Sequence, residues 1–436
     1  MPSSSSGLHW FRHDLRVSGN EALSQLIASC ASVAAVYVFD PKWEEPNQYD
    51  CLHLGQHRRW FIESALSDLS RQLQAIGIEL YVLYGKPVEV VNRLLAQNSI
   101  THISYEEHHG VYERREIENI QGELSHIKGG SNYLYEQEDF PFALENMPDT
   151  FSPFRRKVEK YAKPRSNSPS ENKVLTGGKK IESKVQHLAL DCDGITTYKL
   201  SLADNKPKYD NEYYQGGQSA GLQRIEAYFF GSDQIARYKE TRNGLDGWDF
   251  SSRLSAFLAH GCVSPREVLQ KLSEYERERV ANDSTYWLFF ELLWREFFHW
   301  QHKKHGVAFF AYQGIQDKSP NTRLDTEKYQ QWCQGETGYD IVDACMRQLN
   351  ATGFISNRGR QLVASCFVHE LALDWRYGAA YFEQQLIDFD VASNWGNWQY
   401  LAGVGSDPRG HRQFNLQKQT DTYDPQRKFI NKWLAR

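Results

Sequence analysis

Glu291, Trp294 and Arg295 stand at positions i, i+3 and i+4 of the run ELLWREFF, so a helix there carries all three on one face. A carboxylate, an indole and a guanidinium so grouped suit a planar, hydrogen-bonding ligand. The indole stacks, the carboxylate reads N–H groups and the guanidinium takes phosphate or carbonyl oxygens. The plainer alternative is an intrahelical ion pair beside a half-buried Trp, since i,i+4 pairs are common. In the stretch Thr352–Gln361, Asn357 and Arg358 fall at the start of a helix, where free backbone N–H groups favour anions. In Asp388–Tyr400, two Asp, two Asn, two Trp and one Tyr crowd into thirteen residues. Asp388 and Asp390 lie among apolar neighbours, where carboxylates are rarely unpaired, and Arg360 is a partner of the right charge. One structural salt bridge and a loop would explain the aspartates but not the density of the other groups. From Asp407 onward, seven Lys and Arg residues, among them Arg412, stand against three Asp. Such an excess binds phosphate backbones, although a solvated face is its commoner use.

These groups must be held by elements of two textures. In the first third, apolar β-rich runs (Leu8–Phe11, Val33–Phe39, Leu80–Leu83, His102–Ser104) alternate with helical stretches, including His57–Ile76 and Pro87–Gln97. Gly77 and Gly85 fall where elements should stop. Alternation of this kind predicts a parallel sheet wound on both faces. No GxGxxG follows the first strand; Arg12-His13-Asp14-Leu15-Arg16 stands there instead, against a standard dinucleotide-binding half. Pro164–Gln218 is polar and rich in Gly, Pro and Ser and reads as a long surface connector. From Ser219 the pattern is mostly helical: Ala220–Phe230, Val268–Asn282, Thr285–His302, Gly338–Ala351, Arg358–Leu373 and Ala379–Phe389.

The 436 residues carry a formal net charge of −5, which excludes a globally basic nucleic-acid binder but not a local basic groove. Aromatic residues make up 14% of the chain, with 12 Trp, and eight of those Trp follow residue 280. The seven cysteines include no CxxC pair and no zinc spacing, so reduced, buried thiols and no metal are expected. MPSSSSG lacks a signal core and no apolar run is long enough to span a bilayer. A soluble, cytoplasmic protein without membrane contact is the expectation.

The blocks HWFRHDLRVSGNEAL, RNGLDGWDFSSRLSAFLAHGCVSPR, LLWREFFHW, TGYDIVDACMRQLNATGFISNRGRQLVAS, DFDVASNWGNWQYLAGVGSDPR and KFINKWL together resemble the photolyase/cryptochrome family over nearly the whole chain. SNWGNWQY, AGVGSDPR, FNLQKQ and YDP look most like its DASH cryptochrome branch. So do Gln361 and Tyr400, where cyclobutane-dimer photolyases of other branches usually have Met and Trp.

The resemblance implies an α/β antenna-type domain with a doubly wound parallel sheet (1–135), an interdomain linker (136–218) and an all-α FAD-binding, catalytic domain (219–436). Carried over by motif, Tyr238 and Ser251, Ser252, Arg253, Leu254 and Ser255 would hold the FAD phosphates. Arg295, Asn357, Arg360, Asp388, Asp390 and Asn394 would form the flavin pocket. There Arg360–Asp388 would be an ion pair beside the ring system, and Asn394 would face flavin N5. The implied reaction is blue-light-driven cleavage of cyclobutane pyrimidine dimers by an electron from reduced FAD. Single-stranded DNA would be preferred and a monomer is expected. Glu291 would hydrogen-bond the dimer and Trp294 stack on it, while Gln361, Tyr400, Arg358 and Arg412 would contact DNA. The competing expectation is a blue-light photoreceptor with little repair activity. The presence of Glu291 and Trp294, and the absence of a long polar tail after Trp433, favour repair.

Two positions depart from the family pattern. In the usual relay of three Trp, Trp398 and Trp375 match the inner two, but the outer falls on Thr322; Tyr329 and Trp332, on the helix expected next, are the replacements at hand. Many DASH members hold methenyltetrahydrofolate with a Glu that aligns near Gly110, so folate is expected to be weak or absent. Glu106, Glu107 and Glu113 are the carboxylates nearby.

Overall fold

The computed structural model describes residues 5–167, 186–203, 206, 214–407, 409 and 412–435. About half of the connector expected over Pro164–Gln218 lies outside them. The N-terminal sheet is built from β1 (Ser6–Phe11), β2 (Ser32–Phe39), β3 (Leu80–Tyr84), β4 (His102–Glu106) and β5 (Ser125–Gly129). It is extended by two-residue strands β6 (Gln186–His187) and β7 (Thr196–Thr197). Its order is β5-β4-β1-β2-β3-β7, with β6 also on β2. β1 to β5 run parallel, β1 lying between β2 (Leu8 opposite Ala34) and β4 (Leu8 opposite Ile103), while β7 is antiparallel to β3. Both faces of β1 and β2 are buried, which is why those strands read as continuous apolar runs rather than alternations. β5, with the sequence SHIKG, is an edge strand with a polar face and gave no such signal.

Helices Glu21–Ser29, Gln56–Ala75, Pro87–Gln97 and Val111–Glu118 provide the covering layers. The chain winds from β1 out to β3 and then returns to β4 on the other side of β1. The direction of winding thus reverses between β1 and β4, and the loops that follow those two strands flank the reversal.

Among the described residues, the rest forms helices and turns, apart from an isolated bridge between Arg323 and Leu373. Its long axis is the helix Asp283–His305, opened by Asn282, whose side chain accepts from the Ser284 and Thr285 N–H groups. The helix predicted over Arg358–Leu373 is α-helical only from Asn357 to Ser365 and continues as a π turn over Cys366–Glu370. The helix predicted over Ala379–Phe389 runs instead from Trp375 to Gln385. Asp374 caps its start by accepting from the Arg376 N–H, and the chain leaves it where the Ile387 N–H turns to Gly353 O (2.9 Å). That exit presents Asp388 and Asp390 on a short turn before the helix Val391–Ala402. A Cβ at Gly378 would overlap the Trp398 ring, so glycine lets these last two helices close on the indole.

The two halves are joined by buried guanidinium groups. Arg16, fully buried, donates to Asn132 Oδ1 (2.8 Å) and Gly261 O (2.9 Å). Arg266 donates to Tyr133 O and Gly130 O, both at 2.8 Å. His260 Nε2 donates to Ile387 O (2.9 Å). These bonds fix the turn that carries Asp388.

Candidate functional site

A cavity of about 410 Å³ opens within the helical half, a size typical of ligand sites. Tyr238, Ser251, Ser252, Arg253, Leu254, Ser255, Glu291, Trp294, Arg295, Asn357, Arg360, Gln361, Asp388, Asp390, Asn394, Trp398, Tyr400 and Arg412 all line it. Of the predicted residues, Arg358 and Trp375 do not. A wider hollow of about 690 Å³, lined by Tyr339, Glu370, Gln413 and Arg427 among others, gathers none of them.

The wall is built from helix ends and turns. Ser251–Leu254 leads into the short helix Ser255–Ala259. Arg224 fixes it by donating to Ser252 O (2.9 Å) and Ser251 O (3.0 Å). Arg253 sits in the left-handed region at φ 59°, a strain that surrounding contacts must support. Its guanidinium lies 4.1 Å from the Phe354 ring, and its Nε is buried without a partner. Across the cavity, Arg360 Nη2 donates to both Asp388 oxygens (3.0 and 2.8 Å) and its Nε to Ile355 O (3.1 Å). Asn394 Nδ2 donates to Ala379 O (3.0 Å), so the oxygen is the group left for a ligand. Asp390 caps its helix through the Ser393 N–H (2.7 Å) and lies 2.8 Å from His299 Nε2. Burial alone would raise its carboxyl; His299, Arg295 and the Ser393 N–H reverse this and hold it well below the usual range.

The expected face of Glu291, Trp294 and Arg295 exists, but the intrahelical ion pair does not form. Glu291 instead meets Arg242 (2.5 Å) and accepts from Trp287 Nε1 (3.0 Å). Burial pushes its carboxyl up, against the pull of Arg242. Arg295 donates to Asn132 O (2.9 Å). One face of Trp294 is covered by Phe151, ring centroids 3.7 Å apart, and its edge meets Tyr400. Arg412 lies over the Tyr400 ring (4.7 Å) and is held by Asp407 (2.7 Å). Arg358 stands outside the cavity against Tyr423 and Phe414. Trp398 is in ring contact with Phe382, Phe367 and Trp332, at 5.2, 5.5 and 6.1 Å. Trp375 meets Trp395 at 5.7 Å. Arg242 was not singled out from the sequence, although it opens the RNGLDGWDF block; Phe382, Ser393 and Asn397 also line the cavity.

Hydroxyls, a strained basic turn and an unpartnered Arg253 Nε suit phosphates. The ion pair, the Asn394 oxygen and the Trp398 wall suit a flat, polar ring system. The donor set therefore fits a flavin dinucleotide. On the α/β side, Glu106 is fully occupied by the Ala22 and Ser131 N–H groups (3.0 and 2.7 Å), and Glu107 meets Lys303 (3.1 Å).

Residues 287–436 match the FAD binding domain of DNA photolyase, and residues 7–172 match the DNA photolyase domain. The chain belongs to the photolyase/cryptochrome family. It is 44% identical to the cryptochrome DASH of Idiomarina loihiensis, over 98% of this chain and 92% of that protein. It is 41% identical to that of Vibrio parahaemolyticus, over 99% and 93%. The crystal structure of a Synechocystis cryptochrome superposes with a TM-score of 0.88 at 37% identity, covering all of this chain and 90% of that one. Among the described residues, no helix is long and apolar enough to cross a membrane.

Proposed function

We propose that this protein repairs cyclobutane pyrimidine dimers by blue light, with FAD as cofactor, and acts best on single-stranded DNA. The observation that carries this is one cavity shared by two sets of groups. The Arg360–Asp388 pair and Asn394 line it together with a half-buried carboxylate, Glu291, that Arg242 and Trp287 hold in place. Bound FAD supplies the light-driven electron. The chain positions and excludes. Glu291 offers a carboxylate oxygen to an N–H edge of the ligand. Trp294 and Tyr400 meet edge to face at 84° and form an apolar corner for the flipped-out dimer. Arg412, anchored by Asp407, presents positive charge to the phosphates beside it.

The test is repair of a dimer-containing oligonucleotide by protein carrying reduced flavin, lit and dark, as single strand and as duplex. Light-dependent repair that is faster on the single strand is expected, because flipping a base out of a duplex costs a few kcal/mol more. Equal rates on both would overturn the strand preference. No repair of either would favour the photoreceptor reading.

A further inference from the structure

We propose that His13, His108 and Glu113 form a site for one divalent transition-metal ion of zinc-like preference, placed where the N-terminal sheet reverses its winding. His13 lies in the loop after β1, and His108 and Glu113 follow β4. In open α/β sheets this is the crevice where ligands settle, outside the carboxyl ends of the two strands that flank the reversal. None of the three residues lines the cavity described above, although the His108 ring meets His299 (6.0 Å), which holds the cavity residue Asp390.

The geometry is that of ligands awaiting an ion. One ligand atom from each of the three residues lies within 4.8 Å of the other two. Glu113 Oε2 is buried and has no hydrogen-bond partner, yet it stands 3.7 Å from His108 Nδ1. That is too long for a hydrogen bond. It is close to the separation of about 3.4 Å between two atoms that each bind a tetrahedral ion at about 2.0–2.2 Å. The His13 and His108 rings lie 4.6 Å apart at 30°. His108 Nδ1 accepts from the Gly110 N–H (3.0 Å), a bond that the ion would replace. Two imidazoles and a carboxylate make a set that zinc commonly uses, with a fourth position left for water.

Arg12, beside the cluster, donates to Glu113 O (2.8 Å) and is offset by Glu116 (3.3 Å). Gly110 permits the cluster. A Cβ there would overlap Glu113 Oε2 and come within 2.9 Å of His108 Nδ1, so a side chain at this position drives the carboxylate away. The ligands show no metal spacing because His13 follows β1 while His108 and Glu113, the latter on the helix Val111–Glu118, follow β4, and only the parallel pairing of β1 with β4 brings them together.

The test is equilibrium dialysis of tag-free, flavin-loaded full-length protein against zinc, with bound metal counted by elemental analysis. One zinc per chain is expected. His13→Ala, His108→Ala and Glu113→Gln should each weaken binding at least about tenfold. Gly110→Ala, which removes no ligand, should weaken it as well. Flavin content, read from the same samples, shows that each variant is folded, and the near-isosteric Glu113→Gln decides if an Ala variant loses flavin. No zinc above background, or zinc bound as tightly by folded Glu113→Gln as by the unmodified protein, overturns the proposal.

Discussion

Replacing Asp388 with Ala removes both acceptors of the Arg360 guanidinium. The Asp388 side chain is 1% exposed and that of Arg360 26%. Breaking a fully buried pair costs about 3–5 kcal/mol, because an uncompensated charge is left behind. Arg360 is partly exposed and keeps its bond to Ile355 O, so the cost here is about 2–3 kcal/mol. In the empty cavity, water can reach the orphaned guanidinium; under a seated flavin it cannot. The cost therefore falls on the bound state and weakens FAD by roughly 30- to 150-fold, at 1.36 kcal/mol per factor of ten. The assay is flavin released per chain after exhaustive dialysis, with a fluorescence titration to reload the apoprotein and a melting temperature as control. In Asp388→Ala/Arg360→Ala no bare charge remains, so the double variant should lose less than the sum of the two single changes. Full FAD occupancy of Asp388→Ala, with an unchanged dissociation constant and spectrum, would refute the reasoning.

Trp398→Phe should abolish photoreduction of the oxidised flavin by external thiol while leaving repair by chemically reduced protein intact; photoreduction at the unmodified rate would show that Trp398 is not the first donor. Trp332→Phe, which changes a direct ring neighbour of Trp398, should slow the same process more than Trp375→Phe, measured side by side under continuous blue light. Arg242→Ala should leave Glu291 held by Trp287 alone and lower dimer repair by roughly 10- to 150-fold, since a charge-assisted hydrogen bond is worth about 1.5–3 kcal/mol; an unchanged rate would remove Arg242 from the site. Glu296 is fully buried and burial lifts its carboxyl to about 7. The folded state thus binds the proton more tightly than the unfolded chain, and this group's stability contribution, full below about 4.5, is lost as pH rises through about 7. Glu296→Gln should therefore gain about 2–3 kcal/mol relative to the unmodified protein at pH 8 and little at pH 5, read as the difference between their melting temperatures at the two values.

Much of the fold was visible because apolar runs and caps are local signals. The Val33–Phe39 run announces β2, and Gly77, at φ 84°, ends the long helix where its position says it should. The helix bounds near the cavity were less visible. The exit before Asp388 is set by Ile387, which bonds to Gly353 through its N–H and to His260 through its carbonyl. Both partners are distant in the chain, and nothing in the local sequence records them. The site followed the same division. Glu291 and Trp294 were legible from helical spacing, and the Arg360–Asp388 pair from charge. Arg242 was not, because its partner is fixed by the packing of the Tyr238–Thr241 turn against the Asp283–His305 helix. Position 110 shows the opposite case: its glycine, noted for a missing carboxylate, acquires meaning only when Glu113 is found in the space a side chain would fill.

The ring contacts change what Thr322 implies for the electron path. Thr322 Oγ1 shares a hydrogen bond with Tyr312 (3.0 Å), and Trp375 Nε1 donates to Tyr312 O (3.0 Å). The Trp375 branch thus runs into a threonine and a phenol on that side. From Trp398, however, the rings continue through Trp332 (6.1 Å) to Tyr381 (5.6 Å) and on to Tyr329 (6.5 Å) and Tyr377 (5.7 Å). Trp332 is fully buried and donates its N–H to Val363 O (3.0 Å). An indole that has lost an electron can therefore keep its proton against a carbonyl. Each tyrosine beyond it must release a proton to be oxidised at moderate potential. Tyr381 bonds to Asn350 Oδ1 (2.7 Å) and Tyr329 lies 3.3 Å from Cys51 Sγ. Neither neighbour is a strong base, and burial pushes both phenols upward. Deprotonation of Tyr381 and Tyr329 is thus uphill, so the oxidised state should rest on Trp332 and pass outward slowly. For that reason Trp332, rather than any of the tyrosines, is the position at which a single Phe substitution should be felt most.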